Sequence, residues 1–476
     1  MHRVLVLEVT WRIILSRSEA IAQARKHFET GAFFRTLARR VAYQSESQEL
    51  EKHPVLASYL EEEIRPELDQ LGFAVNLFPN PVDGGGPFLI AERFESHEAP
   101  TVLIYGHGDV VRGMADRWQD GLSPWNLTEV GDRWYGRGTA DNKGQHSVNL
   151  AALQCVMRAR GGRLGFNAKI LLETGEECGS PGLDDFCRLH AEKLKADLLI
   201  ASDGPRLSAA RPTAFFGSRG IVSIKLDVDL RDGAHHSGNW GGLLRNPATT
   251  LVGAIGELVN GRGEILLNCM KPQTLPDSVK AALADVEVGG SPDDPAVDAD
   301  WGQSGLTPAE RLFGWNTLEV LAIRSADVDK PVGAIPPKAV AHLQLRYVVG
   351  TPIESIAEGI RHQLDFAGYP MVKVTVELGM PATRLDPDTP WAKWAIRSLE
   401  ETAQQKIAVL PNLGGTLPNS VFAHTLSLPT IWVPHSYPAC SQHAPNEHML
   451  ASVAQEGLQL MAGLFWDLGE LTPKSA

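Results

Sequence analysis

Cysteine is scarce and carries no pattern. The five present, Cys155, Cys178, Cys187, Cys269 and Cys440, are an odd number without CxxC spacing. Neither a disulfide framework nor a zinc ribbon is indicated, and a reducing, cytoplasmic compartment is the simplest reading. Positive charge is also in deficit: 44 Lys and Arg against 57 Asp and Glu leave a formal charge of -13, which repels phosphate backbones and argues against a nucleic-acid partner. No run of about 18 uninterrupted apolar residues occurs, so a helical membrane span is excluded. The nearest approach, Val4 to Ile14, resembles the core of a signal peptide. Glu8 and Arg12 interrupt it and no convincing small-x-small site follows, so it reads as a loosely ordered leader or an upstream-start extension. A Gly-x-Ser-x-Gly elbow, which a serine hydrolase would need, is missing, as are internal repeats and low-complexity tracts. What remains is ordinary globular composition, 43% hydrophobic and 21% charged over 476 residues, a length that suits two or three domains of about 100 to 200 residues.

The pattern along the chain changes twice. Up to about residue 214, helical segments alternate with apolar runs at Thr101–Tyr105, Lys169–Leu172 and Asp197–Ala201. Each run ends in a polar cluster, as buried strands of an α/β sheet do, and ligands bind at such strand ends. From Phe215 the alternation has period two: Val222, Ile224, Leu226, Val228 and Leu230, then Ala341, Leu343, Leu345 and Tyr347, then Val372, Val374 and Val376. That describes a sheet with one wet face. Helices are expected after Asn246-Pro247 and after Thr351-Pro352, the latter with Glu354 placed for a capping box. With a weaker strand at Thr317–Ile323 the order is β-α-β-β-α-β, an inserted α+β domain containing an acidic loop from Gly289 to Asp300. Helical and buried-strand character returns after Arg384, at Trp391–Thr402, Thr430–Val433 and Ala451–Leu468. The expected architecture is α/β: a discontinuous catalytic domain (20–214 and 383–476) interrupted by a smaller domain (215–382).

Five polar clusters contain metal-competent side chains: Gly106-His107-Gly108-Asp109, the segment from Gly138 through Asp141 to Gly144, Glu173 to Glu177, Ser202-Asp203-Gly204, and Ser441 to Glu447. Singly they are weak signals. A lone histidine after a strand is more often a hydrogen-bonded structural residue, and paired glutamates usually start a solvated helix. Together, on strand ends expected to share one sheet, they supply a mixed nitrogen and oxygen ligand set for a pair of divalent ions.

These motifs, in the order GHGDVV, WYGRGTADNKG, ETGEECGS, ASDG, AHHSGNWGG, AIPPKAVAHLQLR, GGTLP and SQHAPNE, resemble those of the M20 metallopeptidases, in particular the carnosine dipeptidase and acetylornithine deacetylase-like branches. The resemblance covers residues 25 to 470 and implies a zinc-peptidase-like fold carrying a lid and dimerisation domain. It implies two divalent ions, Zn2+ first and Mn2+ or Co2+ as alternatives. Asp141 matches the bridging carboxylate, His107 and Asp203 the ligands of one ion, Glu177 and His443 those of the other. Asp109 matches the partner of the His107 ring, Glu176 the general base, and Asp141-Asn142 the site of a cis peptide. In the inserted domain, His236 matches a histidine that reaches the partner's site to stabilise an oxyanion, with His235 one position away as the alternative. Arg346 matches the residue that grips a substrate carboxylate, with Gly414, Gly415 and Thr416 beside it.

Two departures bear on substrate. Gly333 stands where carnosine dipeptidases have threonine, and Gly379 to Arg384 lacks a histidine those enzymes carry. The implied activity is a homodimeric dipeptidase or carboxypeptidase acting on a small peptide with a free carboxylate. An N-acyl amino-acid deacylase is the alternative, and a non-catalytic peptide-binding protein is the alternative of another class.

Overall fold

Val102 to Ile104 carry no polar side chain, and in the computed structural model of the protein they form, with Tyr105, the buried centre of a strand, Thr101–His107. The structure describes residues 16–290 and 294–471; Val4 to Ile14 and Asp293 lie outside the described residues. Two compact units divide the chain. The first runs up to Pro212 and adds Trp394–Ile407 and the chain from Val433 onward; the second comprises Thr213–Lys393 and Ala408–Trp432.

In the first unit, Thr101–His107 lies parallel to both Asn167–Glu173 and Leu198–Ala201, with Ile104 opposite Ile170 and Ile200. The side chains on these strands are buried almost without exception, as expected for parallel strands covered on both faces. A hairpin of Ala74–Phe78 and Phe88–Arg93 adds antiparallel to Asn167–Glu173, which makes the sheet mixed. Helix Lys143–Ala159 is buried along most of its length and packs against Arg17–Glu29 and Ala451–Leu468. Its start is pressed against the preceding loop: a Cβ at Gly144 would lie 1.9 Å from the Thr139 carbonyl oxygen, so no larger residue fits.

A three-stranded sheet, His448–Leu450, Arg133–Tyr135 and Thr128–Val130, stands apart. This corrects the expectation that all five polar clusters end strands of one sheet. The Asp141 cluster follows Arg133–Tyr135 and the His443 cluster precedes His448–Leu450, so both belong to the small sheet, whose strands are too short to show a period.

The second unit is built on an antiparallel sheet ordered Thr317–Arg324, Lys338–Tyr347, Gly220–Asp229, Val372–Leu378. Val222, Ile224, Leu226 and Val228 pack with Leu343 and Leu345 against Leu251, Ile360 and Leu364 of helices Pro247–Gly256 and Ile356–Phe366. Asn246 caps the first helix through its side chain, accepting from the Ala248 N–H at 2.9 Å. The second differs from expectation. Thr351 donates its hydroxyl to the Val348 carbonyl instead of capping, and a 3-10 turn, Ile353–Ser355, precedes a helix that begins at Ile356. In the same unit Thr213–Phe215 pairs with Ala408–Leu410 and Thr430–Trp432, which is why residues 408–432 sort with it. The described part of the acidic loop, Asp294 to Asp300, forms neither helix nor strand.

Leu226 is fully buried mid-strand, whereas its neighbour Lys225 faces the wet side of the sheet. Leu226→Ala should cost about 2 to 5 kcal/mol in urea unfolding, and Lys225→Ala within about 0.5 kcal/mol of nothing. Equal effects from the two would contradict this packing.

Candidate metal centre

The expected site residues fall into two groups. His107, Asp109, Asp141, Glu176, Glu177, Asp203 and His443 belong to the first unit and converge; His236, Arg346, Gly414, Gly415 and Thr416 belong to the second.

Convergence follows from the sheet. His107 is the last residue of its strand, paired with Glu173 at the end of the adjacent one, and Asp203 lies two residues beyond the third. These are the carboxyl ends of three parallel strands, where an open α/β sheet forms its crevice. Asp141 arrives on the loop before helix Lys143–Ala159, through a cis peptide to Asn142. The Asn142 side chain ties that loop to the strand ends, accepting from the His107 N–H at 3.4 Å and donating to the Ser202 carbonyl at 2.8 Å.

Asp141 is the geometric centre. One oxygen lies 3.0 Å from His107 Nε2, and the other lies 2.9 Å from His443 Nε2. Asp203 Oδ2 stands 3.5 Å from His107 Nε2, and Glu177 Oε2 3.1 Å from His443 Nε2. Two clusters result, His107-Asp141-Asp203 and Asp141-Glu177-His443, in each of which the ligand atoms lie within 4.8 Å of one another. Asp109 stands behind them. Its Oδ1 is 3.3 Å from His107 Nδ1, and its two oxygens accept from the Glu176 and Glu177 N–H groups at 3.2 and 3.1 Å. One carboxylate therefore orients a ring and holds the turn that presents both glutamates.

The electrostatics are those of negative charge short of a counter-ion. Burial, with the charges of Asp203, Asp141 and Glu177, holds the Glu176 carboxyl well above its usual range despite the nearby His107. Burial and Asp141 push Glu177 up to about 7, and the same two causes raise Asp203. Burial alone would depress His107, yet the adjacent carboxylates of Asp109, Asp141 and Asp203 hold it well above the ordinary imidazole range. Hydrogen bonds to Asp141 and Glu177 lift His443 to about 11. Asp203 Oδ2 and Glu177 Oε1 are buried without a hydrogen-bond partner. A histidine and two carboxylates on each side, with orphaned oxygens in both clusters, fit divalent cations bound through nitrogen and oxygen.

In the second unit, Arg346 donates to the Thr416 hydroxyl at 2.8 Å, and that hydroxyl donates to the Arg219 carbonyl at 2.8 Å. Arg219, which lies in none of the sequence motifs, donates through Nε to the Gly414 carbonyl, and its backbone N–H to that of Gly415. Burial, then the like charge of Arg346, bring Arg219 down to about 10. Two guanidiniums beside one loop suit an anion. The histidine pair also separates: His235 packs edge-on against Trp240, whereas His236 is exposed, with Nδ1 accepting from the Gly238 N–H at 3.1 Å. Gly333 uses its carbonyl to accept from both the backbone N–H and the hydroxyl of Ser237.

Against known proteins, the model of peptidase family M20/M25/M40 matches residues 103–467. The chain belongs to this family. Among similar proteins is a mouse Beta-Ala-His dipeptidase, 37% identical over 194 residues, an alignment that spans 40% of this chain and 39% of that protein. The cysteinylglycine-S-conjugate dipeptidase of Corynebacterium striatum is 26% identical over 75% of this chain and 78% of its own. The crystal structure of human carnosine dipeptidase 1 shares the fold, with a TM-score of 0.75 and 23% identity over 96% of this chain and 99% of that one. No helix among the described residues is long and apolar enough to cross a membrane.

Because a divalent ion would relieve the mutual repulsion of this carboxylate cluster, saturating Zn2+ should stabilise the protein by about 2.7 kcal/mol at 100 times its Kd. That corresponds to a Tm rise of roughly 3 to 5 °C over the chelator-treated protein. Identical melting curves with chelator and with Zn2+ would contradict the metal assignment.

Proposed function

We propose that this protein is a dinuclear metal-dependent dipeptidase or carboxypeptidase that hydrolyses the amide bond of a small peptide ending in a free carboxylate. One observation carries the reading: a single buried carboxylate, Asp141, turns one oxygen toward each of two histidine-carboxylate clusters. In this reading His107 and Asp203 would hold one ion, Glu177 and His443 the other, and Asp141 would contribute to both. Zn2+ suits the donors best, and Mn2+ or Co2+ are compatible. Divalent ions held there would supply the acidification of a water and the polarisation of the scissile carbonyl.

The remaining steps belong to the chain's own side chains. Glu176 sits beside the ligands without being one, and it accepts the water proton and returns it to the leaving amine. Asp109 keeps the His107 ring in register. Because His236 Nδ1 accepts from a backbone N–H, the neutral ring carries its proton on Nε2, a donor suited to an oxyanion. Arg346, steadied by Thr416 on the Gly414-Gly415 loop, takes the substrate carboxylate. The dipeptidase names of similar proteins favour dipeptides over acylated amino acids.

The same reading assigns residues 20–214 and 383–476 to catalysis and 215–382 to a lid. It adds a homodimer through that lid, supported by the exposed Val320, Leu321 and Ile323 on edge strand Thr317–Arg324. Five free cysteines support a cytoplasmic setting.

Glu176→Gln should retain bound metal and lose about 10²- to 10⁴-fold in kcat; turnover within threefold of wild type would remove Glu176 as the base. Arg346→Ala should lower kcat/KM for free-acid dipeptides by about 10- to 100-fold and leave C-terminal amides nearly unchanged. A panel of dipeptides and N-acetyl and N-carbamoyl amino acids, each assayed with Zn2+, Mn2+ and Co2+, tests the activity itself. Cleavage confined to the acylated amino acids would overturn the dipeptidase reading.

A further inference from the structure

We infer that Glu447 is a positioning residue of the metal centre, setting Asp141 and His443 against each other. The inference rests on the metal-hydrolase reading above. Glu447 is 1% exposed, and its carboxylate is spent wholly on the loop that carries Asp141. Oε1 accepts from the N–H groups of Ala140 at 2.9 Å and Asp141 at 3.1 Å, both oxygens lie 3.1 Å from the Gly138 nitrogen, and Oε2 accepts from Arg137 at 2.8 Å. The Glu447 carbonyl also accepts from the Gly136 N–H at 3.0 Å. Immediately beyond, His448 pairs with Tyr135, so one residue fastens the whole segment from 136 to 141.

The other end of this connection is His443, four residues earlier. The loop between them is closed by the His448 N–H donating to the Cys440 carbonyl at 2.9 Å. Ser441, His443 and Asn446 within it adopt φ of 57°, 59° and 64°, a left-handed region that non-glycine residues occupy only where the surroundings impose it. Glu447 is the adjacent anchor. The 2.9 Å approach of His443 to Asp141 thus depends on a carboxylate that belongs to neither ligand cluster. Removing such outer partners of metal ligands costs about 10- to 100-fold in metal affinity.

Two variants of the full chain test this. Glu447→Gln turns an amide N–H₂ toward donors that need an acceptor. Glu447→Asp keeps the charge opposite Arg137 but is one methylene short of the 138–141 backbone. Each is measured for folding by circular dichroism, for Zn2+ affinity by competition with a chromophoric chelator, and for turnover as free Zn2+ is raised. The expected result is folded protein whose affinity for at least one Zn2+ falls about 10- to 100-fold, with turnover recovering as free Zn2+ increases. A purely structural residue would lower the melting temperature without changing affinity in the folded protein. Wild-type Zn2+ affinity in either folded variant, or failure of both to fold, overturns the inference. Failure of the unsubstituted chain to bind Zn2+, Mn2+ or Co2+ is a separate outcome that defeats the underlying reading.

Discussion

The site depends on one costly act of burial. Asp109, Asp141 and Asp203 are taken out of water beside Glu176, Glu177 and two imidazoles, where water can no longer screen like charges. Asp141 is held strongly in its charged form because burial is outweighed by hydrogen bonds to His107 and His443. Its neighbours Glu177 and Asp203 are pushed the other way, in part by that same charge. A pocket that drives its carboxyl groups apart in this manner is poorly built as a stabilising element, because a buried ionic cluster seldom repays its desolvation. It is better suited to receiving cations, whose charge would offset that of the buried carboxylates.

The fold supplies that arrangement by geometry at two scales. Three parallel strands end at the same level, which brings His107, Glu173 and Asp203 to one crevice. The small three-stranded sheet then delivers the Asp141 and His443 loops as neighbours, because their flanking strands pair with each other. Neither sheet alone provides a complete ligand set. Asn142 stitches the two contributions together through the His107 N–H and the Ser202 carbonyl, while Asp109 ties two strand ends of the larger sheet through the Glu176 and Glu177 N–H groups, so the candidate ligands are held by main chain as much as by side-chain packing.

The sequence was most legible where burial dictates composition. Val102–Tyr105, Ile170–Leu172 and Leu198–Ala201 are apolar because both faces of their strands are covered, and the alternation from Val222 to Val228 marks a sheet with one wet face. Helix Ala451–Leu468 begins and ends where its pattern does. The candidate ligands stand out through short motifs that resemble those of M20 peptidases; His107, Glu177 and Asp203 follow such segments, whereas Asp141 and His443 flank strands too short to show a period. The hairpin Ala74–Phe78 and Phe88–Arg93 was not, since its outer strand is half exposed and shows no clean period. Thr351 carried a capping signature, but its hydroxyl found a carbonyl three residues back, a competition that local sequence does not resolve. Glu447 and Arg219 went unassigned for a common reason. Most of their partners are backbone groups far away in sequence, and backbone partners leave no residue-type signature.

The measurement that tests the central claim most directly is metal stoichiometry by elemental analysis, made on the purified chain and on Asp141→Ala after equilibration with Zn2+ and removal of free ion. If one carboxylate serves both clusters, the unsubstituted chain carries two ions and the variant loses both together. A single ion in the unsubstituted chain, or one ion retained at full occupancy by the variant, would contradict it.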